Sequence, residues 1–162
     1  MCIVTISDAS WAHEKITEGD HVFSRRSQTA YITLLCNASD VFHGGLIENA
    51  LCYFISWGSK TLKRVCRSTF RAETIALVRA VDEGVHVREV LNALEGNFKF
   101  IDWEDRPQKR KHLWLIDCKS LESKLNNAKI TVGEDKRLEI DLEGLRHYLW
   151  VLPDGTPKND IK

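Results

Sequence analysis

The sequence lacks an excess of charge of either sign: 23 Lys and Arg balance 23 Asp and Glu in 162 residues, so the formal net charge is zero. General attraction to a polyanion is thereby excluded, and any nucleic-acid partner must be met by a local basic cluster. No apolar stretch approaches the length of a membrane span, and no basic segment followed by an apolar core opens the chain, so neither a span nor a secretory signal is expected. The five cysteines, Cys2, Cys36, Cys52, Cys66 and Cys118, are odd in number and scattered, with no C-x-x-C pair and no close Cys/His grouping. A zinc centre is therefore not expected, and the thiols read as reduced core residues of an intracellular protein. There is no internal repeat and no low-complexity segment, and the length suits one core.

What is present is an alternation of apolar runs. Cys2 to Ile6 reads as a buried strand that stops at a polar loop, Ser7-Asp8-Ala9-Ser10. After the polar stretch from Trp11 to Gln28, a second strand is expected from Ala30 to Leu35 and, past a Gly44-Gly45 turn, a third from Ala50 to Trp57. Ser68 or Thr69 then caps a long helix whose apolar face runs through Leu77, Ala80, Gly84, Val87, Leu91 and Leu94, with Gly96-Asn97 ending it. His112 to Ile116 reads as a central strand buried on both faces. A short helix from Cys118 to Asn126 and a last one with Leu138, Leu142, Leu145 and Leu149 on one face complete the pattern. The expected fold is α/β: an antiparallel meander of three strands, then a helical crossover that lays the fourth strand parallel to the first. Residues 1–152 read as one domain, and residues 153–162, with Pro153-Asp154-Gly155-Thr156-Pro157, as a loop or disordered tail.

Three acids stand where chemistry could use them. Asp8 follows the first strand and Asp117 the fourth, which places both at the carboxyl-terminal edge where open α/β sheets carry their sites. Asp117 has a structural alternative as a helix cap. Glu73 occupies a position where the helical pattern asks for an apolar side chain. It lies five residues after Ser68 and four after Thr69, not the three a capping box needs, which leaves attraction to the helix dipole as its structural alternative. Acids converging at one edge repel one another unless cations sit among them, and such hard oxygen donors suit Mg²⁺ or Mn²⁺ in a two-metal phosphoryl-transfer site. No acid occurs between Ser56 and Ala72, whereas Lys60, Lys63, Arg64, Arg67 and Arg71 all do. That window reads as a strip for phosphate contacts, or as an ordinary solvated loop.

Several segments, taken in order, carry a resemblance: Ser7-Asp8-Ala9, Arg25-Arg26-Ser27, Ile55-Ser56-Trp57-x-Ser59-Lys60, Arg67-Ser68-Thr69-x-x-Ala72-Glu73-x-x-Ala76-Leu77, Ile116-Asp117-Cys118-Lys119-Ser120 and Arg137-Leu138-x-Ile140-Asp141-Leu142. Together they resemble the ribonuclease H domain of copia-type retrotransposon polyproteins, over nearly the whole chain. The resemblance implies a ribonuclease H-like fold with the last edge strand and the terminal helix missing. It implies an endonuclease that cleaves the RNA strand of RNA/DNA hybrids during retrotransposon replication. Asp8, Glu73 and Asp117 match the first three catalytic, metal-binding carboxylates, which hold two Mg²⁺ or Mn²⁺ ions. Lys60, Lys63, Arg64, Arg67, Arg71 and Ser68 become the nucleic-acid-binding residues. The implied partners are the hybrid and the reverse transcriptase domain of the same polyprotein, in a cytoplasmic virus-like particle or the nucleus. No fourth acid matches, with Asp141 and Asp160 the remaining candidates, so the alternative is a catalytically impaired nucleic-acid-binding remnant or a host-derived copy of the domain.

Overall fold

A hairpin of two long strands forms the spine of the protein. The computed structural model describes residues 1–18, 21–42, 49–63, 66–96, 110–127, 135–149 and 160–161. Strand β1 (Cys2–Glu18) pairs antiparallel with β2 (His21–Cys36), which leads through a short helix α1 (Ala38–Phe42) to β3 (Cys52–Thr61), antiparallel to β2. The long helix α2 (Thr69–Leu94) then crosses over, as a parallel neighbour demands, and delivers β4 (His112–Leu115) to the free side of β1. Helices α3 (Lys119–Asn126) and α4 (Lys136–Leu149) follow, and β5 (Asp160–Ile161) lies parallel to β4. The sheet order is β3-β2-β1-β4-β5. Among the described residues, no helix is long and apolar enough to cross a membrane.

The meander, the crossover and the parallel fourth strand agree with the sequence pattern, and three expectations need correction. First, β1 does not stop at a polar loop after Ile6: it runs on through Ser7 to Ser10 into the polar stretch, and the hairpin continues to Glu18 and His21, with register shifts between Ser10 and Glu14 and between Ile16 and Thr17. Polar side chains do not prevent pairing, because the ladder is made by backbone groups that every non-proline residue carries. Second, the last edge strand is present, since Asp160 and Ile161 pair with Leu113 and Trp114. A two-residue strand has no periodicity to read. Third, residues 160–161 are accordingly not part of a loop or disordered tail, while the remainder of 153–162 lies outside the described residues.

Helix α2 buries Ala72, Glu73, Ala76, Leu77, Ala80, Val81, Gly84, Val85 and Val87. Leu91 is half-buried and Leu94 is 79% exposed, so the last turn extends past the sheet before Gly96, at φ 72°, ends it. Leu77, Val81 and Val85 pack with Trp114 of β4, Leu121 and Leu125 of α3, and Leu138, Leu142 and Leu145 of α4. This is the main core. A second cluster, on β1, β2, α1 and β4, joins Cys2 and Val4 to Cys36, Val41 and Leu113.

The tightest contact between helix and sheet is at Gly84. A Cβ there would lie 2.2 Å from His112 Cε1 and 2.8 Å from Thr5 Oγ1, so only glycine lets α2 settle over β1 and β4. His112 is fully buried, and its Nε2 shares a hydrogen bond of 2.6 Å with the Thr5 hydroxyl. Burial, followed by the charge of Arg88, pushes its pKa down to about 3.

Two outcomes are expected. Gly84→Ala should lower stability by about 1–3 kcal/mol, the usual range for overpacking, as read by urea denaturation. His112 is neutral when folded but titrates near 6.5 when unfolded, so the unfolded chain binds the extra proton. Its contribution is present above pH 6.5 and is lost as pH falls toward 3. The thermal midpoint should decline across that window, and less steeply in His112→Gln.

Candidate acidic site and its basic border

The site is made where β4 stops. The parallel pairing of β1 with β4 ends at Ile6 opposite Leu115, and two residues farther along each chain stand Asp8 and Asp117. Asp8 is thus inside β1, opposite Ala30, rather than in a loop beyond it, but it lies past the end of the segment β4 covers. The Ile3 N–H donates to the Lys111 carbonyl at 3.0 Å, so by the two-residue repeat of a strand the odd-numbered N–H groups of β1 face β4. At Ala9 there is no longer a β4 carbonyl to receive one, and the Ala9 N–H is instead near enough to the Glu73 carboxylate to favour its charged form.

Glu73 reaches that position from the second turn of α2. The Ser68 hydroxyl caps the helix by accepting the Arg71 N–H at 3.2 Å, and Ala72 and Ala76 pack with Ala9 and Cys66, which holds this end of the helix against β1. One carboxylate oxygen from each of Asp8, Glu73 and Asp117 then lies within 4.8 Å of the others. Glu73 is buried, and the two aspartates are exposed. Both structural alternatives for these acids lapse: the first turn of α2 contains no acid, and the cap residue of α3 is Cys118, not Asp117.

The arrangement is electrostatically unfavourable by itself. Burial, then the charges of Asp117 and Asp8, push the Glu73 carboxyl up to about 7 against the lowering effect of the Ala9 N–H. Three converging oxygen donors of this hardness fit a divalent cation such as Mg²⁺ or Mn²⁺, whose charge would relieve the repulsion.

Lys60, near the end of β3, and Lys63 and Arg67, in the segment between β3 and α2, are exposed. That segment is tied to the hairpin by the Leu62 N–H donating to the Ser27 carbonyl at 2.8 Å and by Trp11 Nε1 donating to the Cys66 carbonyl at 3.0 Å. Because Cys66 packs on Ala9 and Ala72, chain neighbours of Asp8 and Glu73, the segment borders the acids. The other members of the expected strip differ. Arg71 is engaged in an ion pair with Asp135, the Ser68 hydroxyl serves as the cap, and Arg64 lies outside the described residues.

Two participants escaped the sequence reading. Asp135 caps α4 by accepting the Leu138 N–H at 3.2 Å while pairing with Arg71. An aspartate three residues before the first apolar position of a helix was a readable cap signal. The Ala9 N–H had no signal at all, because any residue supplies one. Neither candidate for a fourth acid joins the cluster among the described residues. Asp160 pairs opposite Leu113, four residues before Asp117, and Asp141 lies on α4 under the influence of Arg137, Arg71 and Asp135.

No protein-family model and no curated protein matches the chain. Among solved structures, it is similar to RNase H1 from the halophilic archaeon Halobacterium salinarum NRC-1, with a TM-score of 0.50 and 15% identity, covering 100% of this chain and 84% of that one. It also aligns with the N-terminal RNase H domain of a Mycobacterium tuberculosis protein, solved as a fusion with maltose-binding protein, at a TM-score of 0.49 and 11% identity over 98% and 78% of the two chains. The first likeness establishes the fold, which is ribonuclease H-like.

Glu73→Gln removes the buried charge from this cluster. Without metal at pH 8 it should raise stability by on the order of 1–3 kcal/mol, given that one pK unit is about 1.4 kcal/mol, and the gain should shrink as pH falls below 7 and vanish at about pH 4, where the carboxyl is neutral in the folded and the unfolded chain alike. Denaturation in a chelating buffer at both pH values measures this.

Proposed function

We propose that the protein is a metal-dependent ribonuclease H-type endonuclease that hydrolyses the RNA strand of RNA/DNA hybrids, and that it derives from a copia-type retrotransposon polyprotein. The observation that carries this reading is the convergence of Asp8, Glu73 and Asp117 at the point where β4 stops covering β1. The tandem Ser56-Trp57-x-Ser59-Lys60 and Ser68-Thr69-x-x-Ala72-Glu73 motifs support the origin. The RNase H1 of the halophilic archaeon shares the fold, and its activity is carried over here as part of the proposal.

Asp8, Glu73 and Asp117 would hold Mg²⁺ or Mn²⁺, two ions by the resemblance, and the metal supplies Lewis acidity for attack of water on the phosphodiester. The chain's own residues set up the rest. The packing of Ala72 and Ala76 against Ala9 holds this end of α2 on β1, so the three donors stand together before substrate arrives. The exposed Asp8 and Asp117 leave the outer side open to a backbone phosphate. Lys60, Lys63 and Arg67 would neutralise phosphates farther along the strand, and selectivity for RNA would rest on its 2′-hydroxyls. The reverse transcriptase domain of the same polyprotein would generate the hybrid, in a cytoplasmic particle or the nucleus. A second reading, hybrid binding without hydrolysis, is favoured by the three-acid cluster, which lacks a fourth carboxylate among the described residues.

Cleavage of a labelled RNA/DNA hybrid in Mg²⁺ and in Mn²⁺ distinguishes the two. Hybrid-specific cutting should fall by on the order of 100-fold or more in Asp117→Asn, the scale of losing a group that stabilises transition-state charge. Salt-dependent binding with no cutting by the wild type would support the second reading, and cutting of duplex DNA alone would overturn both.

A further inference from the structure

Three cysteines lie in one row across the sheet, far from the acids. Cys2 stands directly opposite Cys36 in the β1–β2 ladder, and Cys36 directly opposite Cys52 in the β2–β3 ladder. The row is six residues along β1 from Asp8, roughly 20 Å of strand. Residues directly opposite in an antiparallel pair have Cα atoms about 4.5 or 5.5 Å apart, and both spacings fall within the roughly 4.4–6.8 Å that a disulfide bridges. Register alone therefore offers Cys36 two partners.

The two are not equivalent. Cys2 is fully buried, and its thiol donates to the Cys36 carbonyl at 3.6 Å rather than to the Cys36 sulfur. Cys52 is exposed on the edge strand, directly opposite Cys36, and its thiol is near enough to that of Cys36 to raise the latter's pKa. The exposed member can meet a reagent in solution while its buried neighbour waits against it. The geometry points to Cys52 and Cys36 as a thiol pair that closes to a cross-strand disulfide when a low-molecular-weight disulfide such as oxidised glutathione reaches Cys52.

The exchange balances in two displacements. The Cys52 thiolate attacks one sulfur of oxidised glutathione, forming the mixed disulfide and releasing one glutathione thiolate. The Cys36 thiolate then attacks the Cys52 sulfur, forming the Cys36–Cys52 bond and releasing the second glutathione. The two protein thiols give up two electrons and two protons, and oxidised glutathione gains them. The second displacement is the slow one. Burial first, then the nearby thiol of Cys52 and its charge, push the Cys36 thiol up to about 12. Both contributions of Cys52 disappear once its sulfur is capped, leaving burial as the main obstacle, and closure accelerates as pH rises.

The test is incubation of the folded chain with oxidised glutathione, followed by intact mass measurement and non-reducing peptide mapping. The wild type is expected to lose the mass of two hydrogens and to yield a peptide pair joined through Cys36 and Cys52. Cys36→Ser is expected to stop with one glutathionyl group on Cys52, and Cys52→Ser to form no bond at Cys36. A wild-type chain that stays reduced, retains the glutathionyl group on Cys52, or joins Cys36 to Cys2 overturns the proposal.

Discussion

Everything at the acidic site depends on where the parallel pairing of β1 with β4 ends. Beyond Ile6 and Leu115 the two strands separate, Asp8 and Asp117 stand at equal distances past the last pair, and the Ala9 N–H is left facing a gap. Were β4 two residues longer, its backbone would claim that N–H and close the opening through which Glu73 enters. The site is therefore a consequence of strand length and register. The crossover helix has only to be delivered with its second turn beside Ala9, and the Ser68 cap, the Ala72 and Ala76 contacts and the close approach at Gly84 do this from three points along its length.

The same constraint explains why the cluster opposes stability. Three carboxylate oxygens within 4.8 Å, one of them on a buried residue, are held together by packing that they do not themselves favour. An arrangement that disfavours the bare charged state and suits a cation is the expected signature of a binding site, where stability is commonly traded for chemistry. The basic segment beside it is likewise fixed by groups unrelated to its charge: the Trp11 ring N–H, the Leu62 N–H and the Cys66 side chain. Lys60, Lys63 and Arg67 are carried to the border of the acids while the net charge of the whole chain stays at zero.

The parts of this account legible in the sequence were those with a strong period or a misplaced residue. The face of α2 announced itself through Leu77, Ala80, Gly84 and Val87, and Glu73 stood out because it interrupted that face. His112 to Ile116 read as a central strand because the run is nearly continuously apolar, and the strand observed there spans His112–Leu115. The extension of the β1–β2 hairpin was not legible, because its residues are polar and polarity reports exposure rather than backbone pairing. Nor was β5, too short for any pattern, or the Ala9 N–H, a backbone group available at almost every position. Within the basic window, composition alone could not separate Lys60, Lys63 and Arg67, which remain exposed, from Arg71, which is engaged by Asp135 sixty-four residues away.

The central claim is that Asp8, Glu73 and Asp117 form one divalent-cation site. The most direct test is titration of the isotopically labelled chain with Mn²⁺, following paramagnetic broadening of backbone amide signals. The account predicts that the amides of Ser7 to Ala9, Ala72 to Thr74 and Ile116 to Cys118 broaden first and together, and that the effect disappears in Asp8→Asn. Broadening that begins elsewhere, or that reaches only one of the three segments, would contradict it.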